Sequence, residues 1–399
     1  MSIKPMVRAN LCLNAHPTGC AVMVDGWIKR AVAARPAIEG AATTAGRRLP
    51  RNVLVLGCSM GYGLASRISA AFGCGAGSLG VSFERDATDK KPGSPGWYNN
   101  REFDRQAAKA GLYSETLNMD AFSSEARAEV VRRAKEKGLV FDQVIYSLAS
   151  PVRTDPATGV MHKSVLKPLG KPFSGRSVDV MTGAISEITV EPGNDQEIAD
   201  TVKVMGGEDW ELWLRALADA GLLAPGCITL AYSYIGPEHT WAVYRDGTIG
   251  KAKAHLEKTA GILNGLLAGI DGKAYVSIDK AVVTRSSSVI PVVSLYIAAL
   301  FKAMKQLGLH EDCQDQMIRL YRDRLLTPGT IPTDESGRIR LDDWEMRPEV
   351  QELSTKFFLA ATEATLSTAT DFDGFRRDFL QIHGFEVPGV DYEAEVQYL

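Results

Sequence analysis

Asn52-Val-Leu-Val-Leu-Gly57-Cys-Ser-Met-Gly61-Tyr-Gly63 is a short apolar strand that runs into glycines spaced GxxxGxG and then into a helical pattern. Gly57 permits a tight turn, Gly61 removes a side chain where a pyrophosphate would approach the start of the helix, and Gly63 lets helix and strand pack closely. The unpaired amides of that first helical turn favour an anion. Three glycines alone would suit a plain flexible turn, but a strand before them and a helix after them favour a dinucleotide cradle formed by Gly57, Cys58, Ser59, Met60, Gly61 and Tyr62.

Outward from this stretch, β-branched runs alternate with amphipathic ones, as in a parallel sheet covered on both faces. Strands are expected at Asn52 to Leu56, Leu79 to Phe83, Ser114 to Leu117, Gln143 to Tyr146, Cys227 to Ser233 and Ala274 to Val283. Helices are expected at Tyr62 to Ala71, Tyr98 to Ala110, Ser124 to Lys137, Trp210 to Ala220 and Ile249 to Leu267. Six strands make a full Rossmann-type, doubly wound α/β complement. Residues 151–195 break the rhythm with Gly and Pro and read as an inserted hairpin-like excursion. Residues 322–399 read as loops and helices packed on the core, including Pro348 to Ala361 and Asp371 to Ile382. With no repeat or low-complexity tract, residues 1–399 are expected to form one enlarged domain.

Ligands of such sheets sit at the carboxyl ends of the strands. After the second strand, Phe83 and Glu84 stand where an acidic side chain accepts hydrogen bonds from both adenosine ribose hydroxyls and repels a 2′-phosphate, favouring NADH; a solvated Glu84, or Arg85 greeting a phosphate, is the alternative. Asp120 and Ala121 after the third strand fall near the adenine, and Leu148 and Ala149 after the fourth line the groove.

Apolar residues make up 45% of the 399 and charged residues 23%, the balance of a globular chain with a large core. A net charge of -3 gives a nucleic-acid partner no electrostatic support. The amino terminus lacks the apolar stretch of a signal peptide, and the longest apolar run, Val289 to Phe301, is short of the roughly 20 residues of a membrane span, so a cytoplasmic location is expected. The six cysteines (Cys12, Cys20, Cys58, Cys74, Cys227, Cys313) form no CxxC pair and read as reduced core thiols, with no metal site expected.

Beyond the fifth strand, two tyrosines and a lysine follow closely: Tyr234, Tyr244 and Lys253. On one continuous helix, nine steps of about 100° would put Tyr244 and Lys253 on opposite faces. Asp246-Gly247 breaks the run and Thr248 can cap the next helix, leaving Tyr244 on a loop and Lys253 on the helix. There Lys253 lies within about 40° of the face formed by Ile249, Leu256, Ala260, Leu263 and Leu267, while Lys251 and Lys258 point away. Such a lysine often only snorkels to water. Beside tyrosines and a dinucleotide cradle, it can instead hydrogen-bond the nicotinamide ribose and favour negative charge at the Tyr244 hydroxyl, an acid that ordinarily titrates near 10. Hydride transfer to the β-carbon of an enoyl thioester would then give an enolate that Tyr244 stabilises and protonates, with Tyr234 as a further hold on the carbonyl or, alternatively, a core aromatic.

These residues, with HPTGC (His16 to Cys20), GCSMGYG (Gly57 to Gly63), KKPGSPGWYN (Lys90 to Asn99), YSLASPVRTDP (Tyr146 to Pro156) and the Tyr-x8-Lys pair, make the chain resemble, over nearly its whole length, the FabV-type trans-2-enoyl-acyl-carrier-protein reductases. These are relatives of the trans-2-enoyl-CoA reductases within the short-chain dehydrogenase/reductase superfamily. The resemblance implies Tyr244 as proton donor, Tyr234 as substrate contact, Lys253 with Val282, Val283 and Thr284 as NADH contacts, and a monomer acting in fatty-acid elongation on acyl-carrier-protein or CoA thioesters. Carbonyl or alcohol oxidoreduction would use the same tyrosine and lysine, and an NADH sensor without catalysis would need only the cradle.

Two further stretches carry expectations. Arg285 to Pro291, leading into an apolar helix, suits a wall of the acyl pocket, or an ordinary buried helix with a serine cap. In residues 151–176, Arg153, Lys163, Lys167, Lys171 and Arg176 outnumber the one acid, Asp155, and could dock an acidic carrier or CoA phosphates, though a solvated loop is the commoner reason for such a run.

Overall fold

The structure is a computed structural model that describes residues 3–285, 287, 290 and 293–399. After a two-residue antiparallel pair, Val7–Arg8 with Leu11–Cys12, comes a 29-residue helix, α1 (Pro17–Ala45); His16 caps it by accepting the Gly19 amide on Nδ1, and Gly46 ends it in the left-handed conformation. Sequence periodicity gives no helix there. Its buried stripe is Val24, Ile28, Ala31, Ile38 and Ala42, diluted by alanines and interrupted by Pro36.

The sheet begins with β1 (Asn52–Leu56), followed by α2 (Gly61–Ile68), which runs on into a wider π-helical turn at Ser69–Gly73. Then come β2 (Gly77–Ser82), α3 (Pro95–Lys109), β3 (Ser114–Asn118), α4 (Ser124–Lys137) and β4 (Phe141–Tyr146). Two antiparallel hairpins follow, Val152–Thr154 with Met161–Lys163 and Phe173–Val178 with Ile185–Val190. Helices α5 (Asp195–Met205) and α6 (Glu208–Asp219) lead to β5 (Leu223–Ser233), α7 (Thr248–Leu267) and β6 (Lys273–Ile278). The remainder adds α8 (Val293–Gln306), α9 (Cys313–Leu320), the two-residue strand β7 (Ile339–Arg340), α10 (Pro348–Ala360), α11 (Leu366–Ala369) and α12 (Phe372–Gln381).

All seven sheet strands are parallel, in the order β7-β6-β5-β4-β1-β2-β3. The first six reproduce the doubly wound Rossmann order. Period-two alternation splits β1 between the layers: Leu54 and Leu56 pack with α4, α6 and α7, whereas Val53 and Val55 pack with α1, α2 and α9. A further apolar cluster joins α8, α10 and α12 to the second hairpin through Val178.

Two expectations change. The sixth strand ends at Ile278 rather than Val283: the Asp279 amide adds one last bond to Ser233 O at 2.9 Å, and the buried Lys280 ammonium then turns to Ala281 O and Glu311 O at 3.0 Å each. Val282, Val283 and Thr284 are therefore irregular backbone. Thr248 is not the cap of α7; Gly247 holds that position, while Thr248 donates its hydroxyl to Val165 O and its amide to Lys167 O (2.9 Å), stitching the excursion to the helix.

Arg67 of α2 is wholly buried between β2, β3 and α3. Its guanidinium donates to Ser78 Oγ (3.1 Å), Thr116 Oγ1 (2.7 Å), Ser114 Oγ (3.0 Å), Glu115 O (2.9 Å) and Asp104 Oδ1 (3.1 Å), and stacks 4.2 Å from the Phe103 ring centre.

Close packing makes a stability contrast. A Cβ at Gly63 would lie 1.9 Å from Gly57 O, whereas at Gly261 of α7 it would meet nothing within 4 Å. Gly63→Ala should lower unfolding free energy by about 1–3 kcal/mol or more, and Gly261→Ala should raise it by about 0.5–1 kcal/mol, both read from urea melts.

Candidate active site

Each named residue stands at the carboxyl edge of the parallel sheet, and the local reasons differ. After β1, Gly57 has φ +84, and a Cβ there would sit 2.2 Å from Ser147 O, so the turn closes directly against the end of β4. Gly61, with φ +54, opens α2, whose first-turn amides have no carbonyl four residues back within the helix. The Gly57 and Cys58 amides both bond Val81 O (2.8 and 3.2 Å), and the Cys58 side chain is buried near Arg67. The Tyr62 hydroxyl turns away, 2.9 Å from both Lys280 O and Gln316 Oε1. Met60 and Gly61 share one cavity with Val282, Val283 and Thr284, closed by Trp27 of α1 and Phe301 of α8.

After β2, Phe83 is 77% exposed. Ser59 donates its hydroxyl to Glu84 Oε1 at 2.6 Å, while Glu84 Oε2 is buried with no hydrogen-bond partner among the described residues. An orphaned acceptor there invites a donor from outside the chain. Gly96 at the start of α3 keeps that carboxylate in place, since a Cβ would meet Oε1 at 2.2 Å. After β3, Asp120 caps its own turn by accepting the Phe122 amide at 3.0 Å, and Ala121 O accepts Trp213 Nε1 at 2.9 Å. After β4, Leu148 is half-buried and Ala149 exposed.

After β5, the chain brings together the three residues singled out for chemistry. Tyr234 follows the last strand residue, Tyr244 lies on a turn, and Lys253 projects from α7. The Tyr234 and Tyr244 rings meet edge to face, centres 5.1 Å apart at 75°. Lys253 Nζ lies 4.9 Å from the Tyr244 ring centre and donates to Ser233 Oγ at 3.0 Å. Gly236, at φ +71, is needed for this fold-back: a Cβ would sit 2.7 Å from the Tyr234 hydroxyl. Burial pushes the Tyr244 phenol up to about 12, so it keeps its proton near neutrality. Burial also pulls the Lys253 ammonium down to about 7, against the opposing pull of Asp279 and Glu257. Tyr234 is pushed well above its ordinary value by burial and by the carboxylate of Glu345, to which it donates at 2.9 Å.

Several contributors lay outside the sequence reading. Ser233 is one residue before Tyr234, and Asp279 ends an apolar strand with a charge, a legible signal; its Oδ1 accepts Ser277 Oγ at 2.7 Å and its Oδ2 has no partner among the described residues. Tyr296 and Glu345 come from far downstream and carry no local mark. The basic excursion is not a free cationic patch: Arg153 is buried and bonds Glu208 (2.8 Å), Lys167 pairs with Glu197 (2.7 Å), and Arg176 donates to Ala361 O and Phe358 O. Only Lys163 and Lys171 of the five are exposed. Of the wall expected from Arg285 to Pro291, residues 286, 288, 289 and 291 lie outside the described residues.

Three family models match the chain in succession: "NAD(P)H binding domain of trans-2-enoyl-CoA reductase" over residues 2–89, "Trans-2-enoyl-CoA reductase catalytic region" over 91–326 and "Enoyl reductase FAD binding domain" over 333–396. The sequence is 56% identical to the trans-2-enoyl-CoA reductase (NADH) of Treponema denticola, with 100% of this chain and 99% of that protein covered. It is 50% identical to the enoyl-acyl-carrier-protein reductase (NADH) of Cytophaga hutchinsonii, covering 99% and 98%. The fold superposes with TM-score 0.95 on the crystal structure of the Treponema denticola enzyme in complex with NAD, covering 100% of this chain and 98% of that one. With the Clostridium acetobutulicum trans-2-enoyl-CoA reductase in complex with NADH it superposes at TM-score 0.92 and 37% identity, covering 100% and 98%. A glycine-rich strand-to-helix cradle of the kind formed at Gly57 to Gly63 does not occur in residues 333–396: the only strand among those described is Ile339–Arg340, and residues 341–347, which join it to α10, contain no glycine.

Among the described residues, no helix is long and apolar enough to cross a membrane, and no cluster of three or more metal-ligating side chains occurs.

The depressed Lys253 ammonium has a measurable consequence. Its pKa falls from 10.5 unfolded to about 7 folded, so the unfolded chain binds more protons between those values and stability rises with pH across that window. Urea melts at pH 7 and pH 9 should show this rise, and Lys253→Met should flatten it.

Proposed function

The chain belongs to the family of trans-2-enoyl-CoA and enoyl-acyl-carrier-protein reductases and is an NADH-dependent enoyl-thioester reductase; from that premise we propose that Tyr244, Lys253 and Tyr234 carry its chemistry. The observation that supports this assignment is the convergence of two phenols and an ammonium at the carboxyl edge of the sheet, beside the glycine turn.

The residues at that edge fit the cofactor. The orphaned Glu84 Oε2 offers an acceptor to a ribose hydroxyl, with Ser59 holding the other oxygen. That same carboxylate would repel a 2′-phosphate, the physical basis for NADH over NADPH. The amides at the start of α2 suit the pyrophosphate, and the irregular backbone of Val282, Val283 and Thr284 faces the same cavity as Gly61.

Bound NADH supplies the hydride that reduces the substrate's β-carbon. Lys253 holds the ribose of the cofactor, and its positive charge favours negative charge on the Tyr244 oxygen. Tyr244, neutral because burial raises its pKa, donates a hydrogen bond to the oxygen on which enolate charge develops and delivers the proton. Tyr234 holds the thioester carbonyl.

We read residues 1–399 as one enlarged Rossmann-type domain, with 151–195 and 322–399 as additions to its core. The enzyme acts as a monomer in the cytoplasm, on carrier-linked or CoA-linked acyl chains during elongation. Its six free, buried cysteines suit a reducing compartment.

Tyr244→Phe should lower kcat for crotonyl-CoA reduction by about 100-fold or more while leaving NADH affinity unchanged, since general acid help is worth about 100- to 10,000-fold. Nicotinamide absorbance and fluorescence titration give the two readings, and full turnover would remove Tyr244 as the acid. Glu84→Ala should narrow the NADH-to-NADPH ratio of kcat/KM; an unchanged ratio would place discrimination elsewhere.

A further inference from the structure

Glu345, fully buried, follows β7 by a few residues and is far in sequence from both tyrosines. Its Oε1 accepts the Tyr234 hydroxyl at 2.9 Å and the Tyr296 hydroxyl at 2.7 Å, and its Oε2 accepts the Ala281 amide at 2.7 Å. Gln351 completes the arrangement, its Nε2 lying 3.2 Å from the Tyr296 oxygen and 2.7 Å from Glu345 O. Donors therefore meet both oxygens of one carboxyl group. Glutamine cannot reproduce this: it would set its NH2 either against the Ala281 N–H or toward the two phenol oxygens, which accept it only by turning their own protons away from the one acceptor they now share.

What this carboxyl joins matters. Tyr234 stands edge-on to Tyr244, and Ala281 leads directly into Val282, Val283 and Thr284. Tyr296, wholly buried on α8, fixes the third corner. We propose that Glu345 is a positioning residue for the reduction, setting the ring of Tyr234 and the backbone entering residues 282–284 against each other through one buried carboxyl group. The inference rests on the reading of Tyr234 as the substrate contact.

The arrangement also makes Tyr234 available. When its proton turns to a thioester carbonyl, Glu345 still keeps the Tyr296 hydroxyl and the Ala281 amide, so the carboxyl group is not left without donors. A phenol braced by a partner with no other donors would leave that partner unsatisfied on making the same turn, a far larger cost.

A double-mutant cycle tests this on the full chain, with crotonyl-CoA as substrate and NADH saturating. Tyr234→Phe and Glu345→Gln should each lower kcat/KM by about 10-fold or more, chiefly by raising KM for crotonyl-CoA. The double variant should lose little beyond the worse single one, because Glu345 acts through Tyr234. The NADH dissociation constant should change by less than about 3-fold in E345Q, because the glutamine oxygen can still accept the Ala281 amide and hold residues 282–284, whereas a general collapse of the fold would not spare it. Wild-type kcat/KM in E345Q, or effects that multiply in full, would overturn the inference while leaving an impaired Tyr234→Phe to support the substrate-contact reading. An unimpaired Tyr234→Phe would overturn both. Should E345Q not fold, E345D, which keeps the charge but falls one methylene short of the phenols, goes through the same cycle with the same criteria.

Discussion

The approach of α2 to β1 is closer than any side chain permits: Gly63 lies where a Cβ would be 1.9 Å from Gly57 O, and Gly57 itself lies where a Cβ would be 2.2 Å from Ser147 O. This contact fixes how the helix begins relative to the ends of two central strands. With the helix seated, its unpaired amides point over the carboxyl edge of the sheet, Ser59 reaches the Glu84 carboxylate, and the cavity shared by Gly61 and Thr284 acquires its floor. The chemistry at β5 and the binding surface at β1 to β4 are parts of one edge because parallel strands all end on the same side.

At that edge burial works on opposite charges in opposite senses. It holds the Tyr244 phenol protonated and tends to strip the Lys253 ammonium, whose nearest countercharges, Asp279 and Glu257, resist. The lysine therefore sits near the point where its charge responds to whatever binds beside it. The phenol, by contrast, is an acid that needs the developing negative charge of a substrate, or a neighbouring cation, before its proton becomes mobile.

The strand-glycine-helix unit and the alternating strands were legible in the sequence because they are local and periodic. The Tyr244–Lys253 relation was legible because Asp246-Gly247 breaks a helix that would have separated them. What escaped is equally physical. Helix α1 buries alanines and spans a proline, so its apolar stripe is faint. The end of β6 at Ile278 depends on where Asp279 and Lys280 find tertiary partners, which no local pattern encodes. The basic run from Arg153 to Arg176 looked solvated or docking-competent on charge alone, yet Arg153, Lys167 and Arg176 serve internal contacts. Glu345, more than a hundred residues downstream of Tyr234, meets it only in three dimensions.

Strand β3, Ser-Glu-Thr-Leu-Asn, has almost no apolar alternation to specify how it pairs with β2. Arg67 supplies what hydrophobicity does not. Ser114 and Thr116 face it together because they are two residues apart, and a slip of one position would turn both hydroxyls outward and leave the buried guanidinium only Asp104 and Ser78 of the side chains that now hold it. Mispairing at this border is thus opposed by an electrostatic penalty rather than by lost contact area, and the edge can remain polar enough to discourage a foreign strand from joining it.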